Sequence, residues 1–90
     1  MNEPLDITFT TEIVPEKNSG WACVLLKDSV EIFGTGKNVK VRGTVDGHDY
    51  EATMMSSGGI HMMALRAPFR KKLGKDLGDE VTVHLNERLS

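Results

Sequence analysis

Ninety residues leave room for one hydrophobic core and exclude a second independent domain. With 39% hydrophobic and 27% charged residues the chain has a globular balance, which excludes a disordered one. The net charge of −2 is uneven: residues 1–35 carry −4, residues 36–75 carry eight basic against three acidic side chains, and residues 76–90 carry −3, so any polyanion contact is confined to a local patch.

Leu5, Ile7, Phe9, Thr11 and Ile13 alternate with Asp6, Thr8, Thr10 and Glu12, the two-residue period of a strand with one wet face, and Pro15 ends it. After the turn Asn18-Ser19-Gly20, the segment Trp21 to Leu26 is apolar on both faces and predicts the best-buried strand. Asp28 with Glu31 three positions later has the form of a capping box, Val30 and Phe33 share a helical face, and Gly34 supplies the stop. Val39, Val41, Gly43 and Val45 alternate with polar residues up to Asp46-Gly47, a two-residue hairpin signal, and His48 to Met55 returns. Ser56 to Gly59 turns the chain into a strand over Ile60 to Leu65. Pro68, Phe69, Leu73 and Gly74 mark a second short helix, and Glu80 to Leu85 the last strand.

No apolar run approaches the ~20 residues of a membrane span. The first residues lack the basic-then-apolar start of a secretory signal, so a cytoplasmic location without membrane contact is expected. Cys23, the single cysteine, excludes an internal disulfide and is read as a core residue.

The order strand, short helix, glycine stop, strand occurs twice. Phe33-Gly34 falls on Leu73-Gly74 at an offset of 40, which also sets Trp21 on His61, Val24 on Ala64 and Lys27 on Ala67; after the glycine the second copy is longer by two, so Val39 falls on Val81. The similarity is in pattern more than identity. Two such units packed about a pseudo-two-fold axis would complete one barrel and make a monomer, or at most a weak dimer.

Leu65 to Gly74 with Gly78-Asp79-Glu80-Val81 resembles the swapped-hairpin domains of transition-state regulators and antitoxins, which build a barrel from two chains and bind DNA. Trp21, Phe33-Gly34, Val39 to Gly47, Gly58 to Met62, Arg70, Leu73-Gly74 and Gly78-Asp79 together resemble the domain of unknown function family nineteen-oh-five, over about residues 7 to 85. The elements above give the expectation of a mainly β fold of about six strands with two short helices, a single domain over residues 1–90 with its core at about 5–86, and the resemblance implies that it is a small closed double-split β-barrel in one chain. It implies almost no chemistry.

Arg66, Arg70, Lys71, Lys72 and Lys75 form a run without an intervening acid, and Arg66 and Arg70, four apart, suit bidentate capture of carboxylate or phosphate. A solvated helix face offset by Asp76, Asp79 and Glu80 accounts for the same run. His48, His61 and His84 lack metal-ligand spacing, so no metal or other cofactor is expected. His61, set against Trp21 across the expected axis, marks a barrel mouth. Gly34-Thr35-Gly36-Lys37 follows a helix and precedes a strand, the reverse of a phosphate loop, and no Gly-x-Ser-x-Gly elbow occurs. Of Met54, Met55, Met62 and Met63, half are expected inside and half outside.

The leading reading is a non-enzymatic binding module for a small anionic ligand or a protein partner, using Trp21, Arg42, His61, Arg66, Arg70 and Lys71. A nucleic-acid-binding regulator using the basic helix is the alternative. An enzyme on a small metabolite is the third; no catalytic residues stand out, and it requires a pocket lined by Arg or His.

Overall fold

Seven strands form one antiparallel sheet in the computed structural model, which describes residues 3–90. The elements are β1 (Glu3–Glu12), β2 (Val14–Pro15), β3 (Ala22–Leu26), α1 (Ser29–Phe33), β4 (Val39–Val45), β5 (His48–Ser57), β6 (Ile60–Ala64), α2 (Ala67–Leu73) and β7 (Glu80–Arg88). Their order across the sheet is β1-β7-β4-β5-β6-β3-β2. The alternating segments become strands, and the apolar members of β4 and β7 point into the core with Ile13, Val24, Leu26, Tyr50, Met54, Met63 and Leu65.

Two strands bend so that each serves both halves of the sheet. β5 pairs with β4 as far as Met54 and with β6 from Met55. β1 pairs with β7 as far as Glu12; after Ile13 the same segment pairs with β3 as β2. Ile13 is the hinge of that bend: fully buried, it donates its N–H to the Asp79 carbonyl at 2.8 Å and accepts from Gly78 N–H at 2.8 Å.

The expected closed barrel of about six strands is therefore corrected to an open, curled sheet of seven. Among the described residues no ladder joins β1 to β3; the two ends of the sheet are consecutive pieces of one chain segment that diverge from Ile13 as a fork. The succession of long bent strand, strand, helix and strand occurs twice, over 3–45 and 48–88. Like elements lie side by side, β4 beside β7 and β3 beside β6. One row of residues crosses four strands as Ile7, Leu85, Gly43, Tyr50, which puts Ile7 and Tyr50 at mirrored ends. In the other half Val24 faces Met63, and Leu25 and Ala64 each stand one residue beyond that pair.

Several local expectations shift. Buried positions of β3 and β6 coincide at an offset of 39, Leu26 with Leu65 and Ala22 with His61, so Trp21 is not the counterpart of His61. β3 begins after Trp21, which is 63% exposed. Asp28 makes no side-chain cap bond; its main-chain carbonyl accepts Ile32 N–H instead. Gly34 and Gly74 do end the helices, with φ of 69° and 71°, a conformation that favours residues without Cβ. Cys23 is buried, and burial with the nearby Glu16 charge pushes its thiol pKa up. Met54 and Met63 enter the core, whereas Met55 and Met62 face each other on the opposite side of the sheet.

Candidate functional site

His61 leaves the list of surface candidates. It is completely buried on β6, where its main-chain N–H donates to Ser29 Oγ at 2.7 Å, Nδ1 lies 2.6 Å from the same hydroxyl and Nε2 lies 2.7 Å from the Lys37 carbonyl. A neutral ring with its proton on Nε2 satisfies all of these, the Ser29 hydroxyl donating to Nδ1. Phe33 packs edge-on at 5.2 Å. This residue ties α1 and the following loop to β6, so no barrel mouth opens there.

The remaining candidates gather around the start of α2, where Arg66 stands between two grooves. The first, about 670 Å³, includes Arg42, Tyr50, Glu51, Arg66, Phe69 and Lys72 in its lining. The second, about 430 Å³, includes Trp21, Leu65, Arg66, Arg70, Asp76 and Leu77. Lys71 lies apart on the exposed side of α2, in a shallow depression with Lys75 and Asp79.

Tyr50 organises the first groove. It stands opposite Gly43 in the β4–β5 register, and its hydroxyl donates to the Ala64 carbonyl at 2.7 Å. That hydroxyl also accepts Arg66 N–H at 3.1 Å, and Phe69 leans on the ring at 4.3 Å. The Arg66 guanidinium lies over the same ring, 4.5 Å from its centroid, and donates to the Glu51 carbonyl at 3.2 Å. Lys72 belongs to the basic run singled out in the sequence, whereas Tyr50 and Phe69 are groove residues that the sequence did not mark. Alternation puts Tyr50, Ala52 and Met54 on one face of the strand, but the reach of the phenol to β6 depends on the bend in β5.

The charges divide the cations sharply. Arg42 bridges Glu87 at 3.0 Å and Glu51 at 3.4 Å on the outer face of three strands. Arg70 donates from one terminal nitrogen to the Leu65 carbonyl, while Nε sits 3.2 Å from Asp76, within ion-pair distance but without hydrogen-bond alignment. Lys75 contacts Asp46 at 2.6 Å and the Glu80 carbonyl at 2.6 Å. Burial raises the Asp46 carboxyl, but the Lys75 hydrogen bond, the Thr82 N–H, the Lys75 charge and His48 outweigh it and hold its pKa below the ordinary value of 3.8. Among the described residues Arg66 has no carboxylate within 4.0 Å of its guanidinium.

Among the described residues no group of three or more His, Cys, Asp or Glu side chains is placed to hold a metal ion. No helix among them is long and apolar enough to cross a membrane.

These features define a small single-chain curled β-sheet domain with an aromatic-lined groove beside its second helix, where Arg42, Arg66 and Lys72 stand with Asp49 and Glu51. The family profile described as Domain of unknown function (DUF1905) matches residues 9–85, and the chain belongs to that family. No curated protein matches the chain.

Proposed function

We propose that this domain is a binding module that holds a small anionic molecule at Arg66, in the groove between β5 and the start of α2. The observation that carries this reading is the state of Arg66: a guanidinium fixed by the Tyr50 ring and the Glu51 carbonyl, with no carboxylate among the described residues within 4.0 Å. A planar donor array already oriented loses little freedom when it grips a carboxylate or phosphate. Phe69 and Pro68 offer apolar contact to the rest of such a ligand, and Lys72 adds a second positive charge. Arg42 and Arg70 take supporting parts here, because Glu51, Glu87 and Asp76 already occupy them.

The same pairing weakens the nucleic-acid reading. Of the five basic side chains from Arg66 to Lys75, Arg70 and Lys75 are matched by Asp76 and Asp46, which leaves Arg66, Lys71 and Lys72 for phosphates. The groove meets the pocket condition of the enzymatic reading, but no nucleophile and base face one another in it. The doubled element order and the mirrored Ile7 and Tyr50 support two pseudo-two-fold copies of a double-split design within one chain.

Calorimetric titration of the purified chain with aromatic carboxylates and phosphate monoesters tests the reading. Saturable binding to one class, weakened at least tenfold by Arg66→Gln and only partly restored by Arg66→Lys, is expected. Equal binding by Arg66→Gln, or no binding by either class, overturns it. Salt-dependent retardation of generic duplex DNA that Arg66→Gln, Lys71→Gln and Lys72→Gln progressively remove would favour the nucleic-acid reading instead.

A further inference from the structure

The sheet contains two forks, one on each bent strand, and they are finished differently. In the fork between β5 and β6, side chains take up the main-chain groups: Tyr50 Oη serves the Ala64 carbonyl and Arg66 N–H, and the Arg66 guanidinium serves the Glu51 carbonyl. In the fork between β1 and β3 the mirrored position of Tyr50 is Ile7, that of Ala64 is Leu25, and Lys27 stands just beyond Leu25. Isoleucine has no polar atom with which to bridge the gap.

Strand alternation identifies the groups left open. Thr82 N–H donates to the Asp46 carboxylate and its carbonyl accepts Asp46 N–H, so both main-chain groups of Thr82 point toward β4. Its β1 partner Thr10 therefore makes no ladder bond to β7, and Thr8 and Thr10 direct N–H and C=O toward the fork. On the other lip the Ala22 carbonyl accepts Leu65 N–H, so Ala22 and Val24 address β6 and Leu25 between Val24 and Leu26 addresses the fork. Among the described residues no side chain bonds the main chain of Thr8, Thr10 or Leu25. The space between the lips, about 460 Å³, is walled by Ile7, Phe9, Leu25, Leu26 and Ile32, with Lys27 and Asp28 cancelling in charge at the rim.

The geometry points to the β1–β3 fork as a docking slot for an extended polypeptide segment of a partner protein, which adds a strand along Thr8 and Thr10. Only a main chain supplies donors and acceptors at the strand repeat to both lips, and only apolar side chains on that strand cover Ile7, Phe9 and Ile32. The balanced rim selects a segment that is uncharged at its centre. This slot is separate from the Arg66 groove, so either assignment stands or falls without the other.

The probe is the synthetic peptide acetyl-Thr-Val-Thr-Val-Thr-Val-amide, titrated into the isotope-labelled full chain and followed by amide shifts. Saturable shifts at Thr8, Thr10 and Leu25 are expected, with at least tenfold weaker binding by the same peptide N-methylated at alternate residues. Ile7→Tyr combined with Lys27→Arg rebuilds the stitching of the other fork and is expected to abolish binding. Thr10→Pro, which removes an N–H that the ladder does not use, is expected to weaken it at least tenfold with the rest of the spectrum unchanged. Absence of saturable binding, equal affinity of the N-methylated peptide, or indifference to both variants overturns the proposal. Self-association of the chain that the Ile7→Tyr and Lys27→Arg pair abolishes would give the slot to a second copy and also overturn it.

Discussion

Arg66 and Tyr50 hold each other from two directions: the Arg66 main-chain N–H donates to the phenol oxygen at 3.1 Å while its guanidinium covers the ring at 4.5 Å. Tyr50→Phe keeps the ring and removes the hydroxyl, which leaves the Ala64 carbonyl and Arg66 N–H without a partner. A loss of about 1–3 kcal/mol in urea unfolding is expected. A loss below about 0.5 kcal/mol would mean that water takes over both bonds.

Ser29→Ala strikes a deeper site. It strips the partner from His61 N–H and from Nδ1 where no solvent reaches either. About 2–3 kcal/mol of destabilisation is expected in the same assay, while nitrogen shifts of the wild-type ring should show its proton on Nε2.

Acid should weaken the link between the central hairpin and β7. Because the folded Asp46 carboxyl lies below its ordinary value of 3.8, its stabilisation is complete above that value and fades as the pH falls through it toward the lower native pKa. Asp46→Asn is compatible with the left-handed φ of 50° at this position, since asparagine tolerates that region. With both ends of the pair partly in water, the substitution should cost about 0.5–1 kcal/mol near neutrality. The gap between variant and wild type should narrow when unfolding is repeated near pH 3.

Gly43→Ala tests the close approach of β4 to β7. The added methyl overlaps the His84 carbonyl, which is backbone and cannot rotate away, so β4 and β7 must part. More than about 3 kcal/mol is expected, or failure to fold, visible in thermal unfolding. An ordinary melting curve would contradict the described register.

Trp21 offers the opposite extreme. Replacement by Ala should change stability by less than about 0.5 kcal/mol, and acrylamide should quench its fluorescence efficiently in the folded chain, as 63% exposure requires.

Much of the architecture was legible because it rests on local rules. The alternations through Ile7 and Val41, the Asp46-Gly47 hairpin and the glycine stops at Gly34 and Gly74 each follow from periodicity or φ preference. What failed depends on distant contacts. Counting back from the helix stops gave an offset of 40 and paired Trp21 with His61, whereas α2 is longer than α1 and the strands themselves coincide at 39. The sequence suggested a closed ring because it cannot report that Ile13 is claimed by the Gly78-Asp79 loop, which draws β1 away from β3. Arg42, Arg66 and Arg70 were equivalent as letters; only placement reveals which of them already has a carboxylate.

The bend at Ile13 also guards fidelity. A slip of β1 by one residue along β7 would turn Ile7 and Phe9 to the wrong face and, through the same covalent segment, drag Val14 off Cys23. Two pairings thus check a single alignment, and a misthreaded first strand is penalised at both ends of the sheet before it can persist.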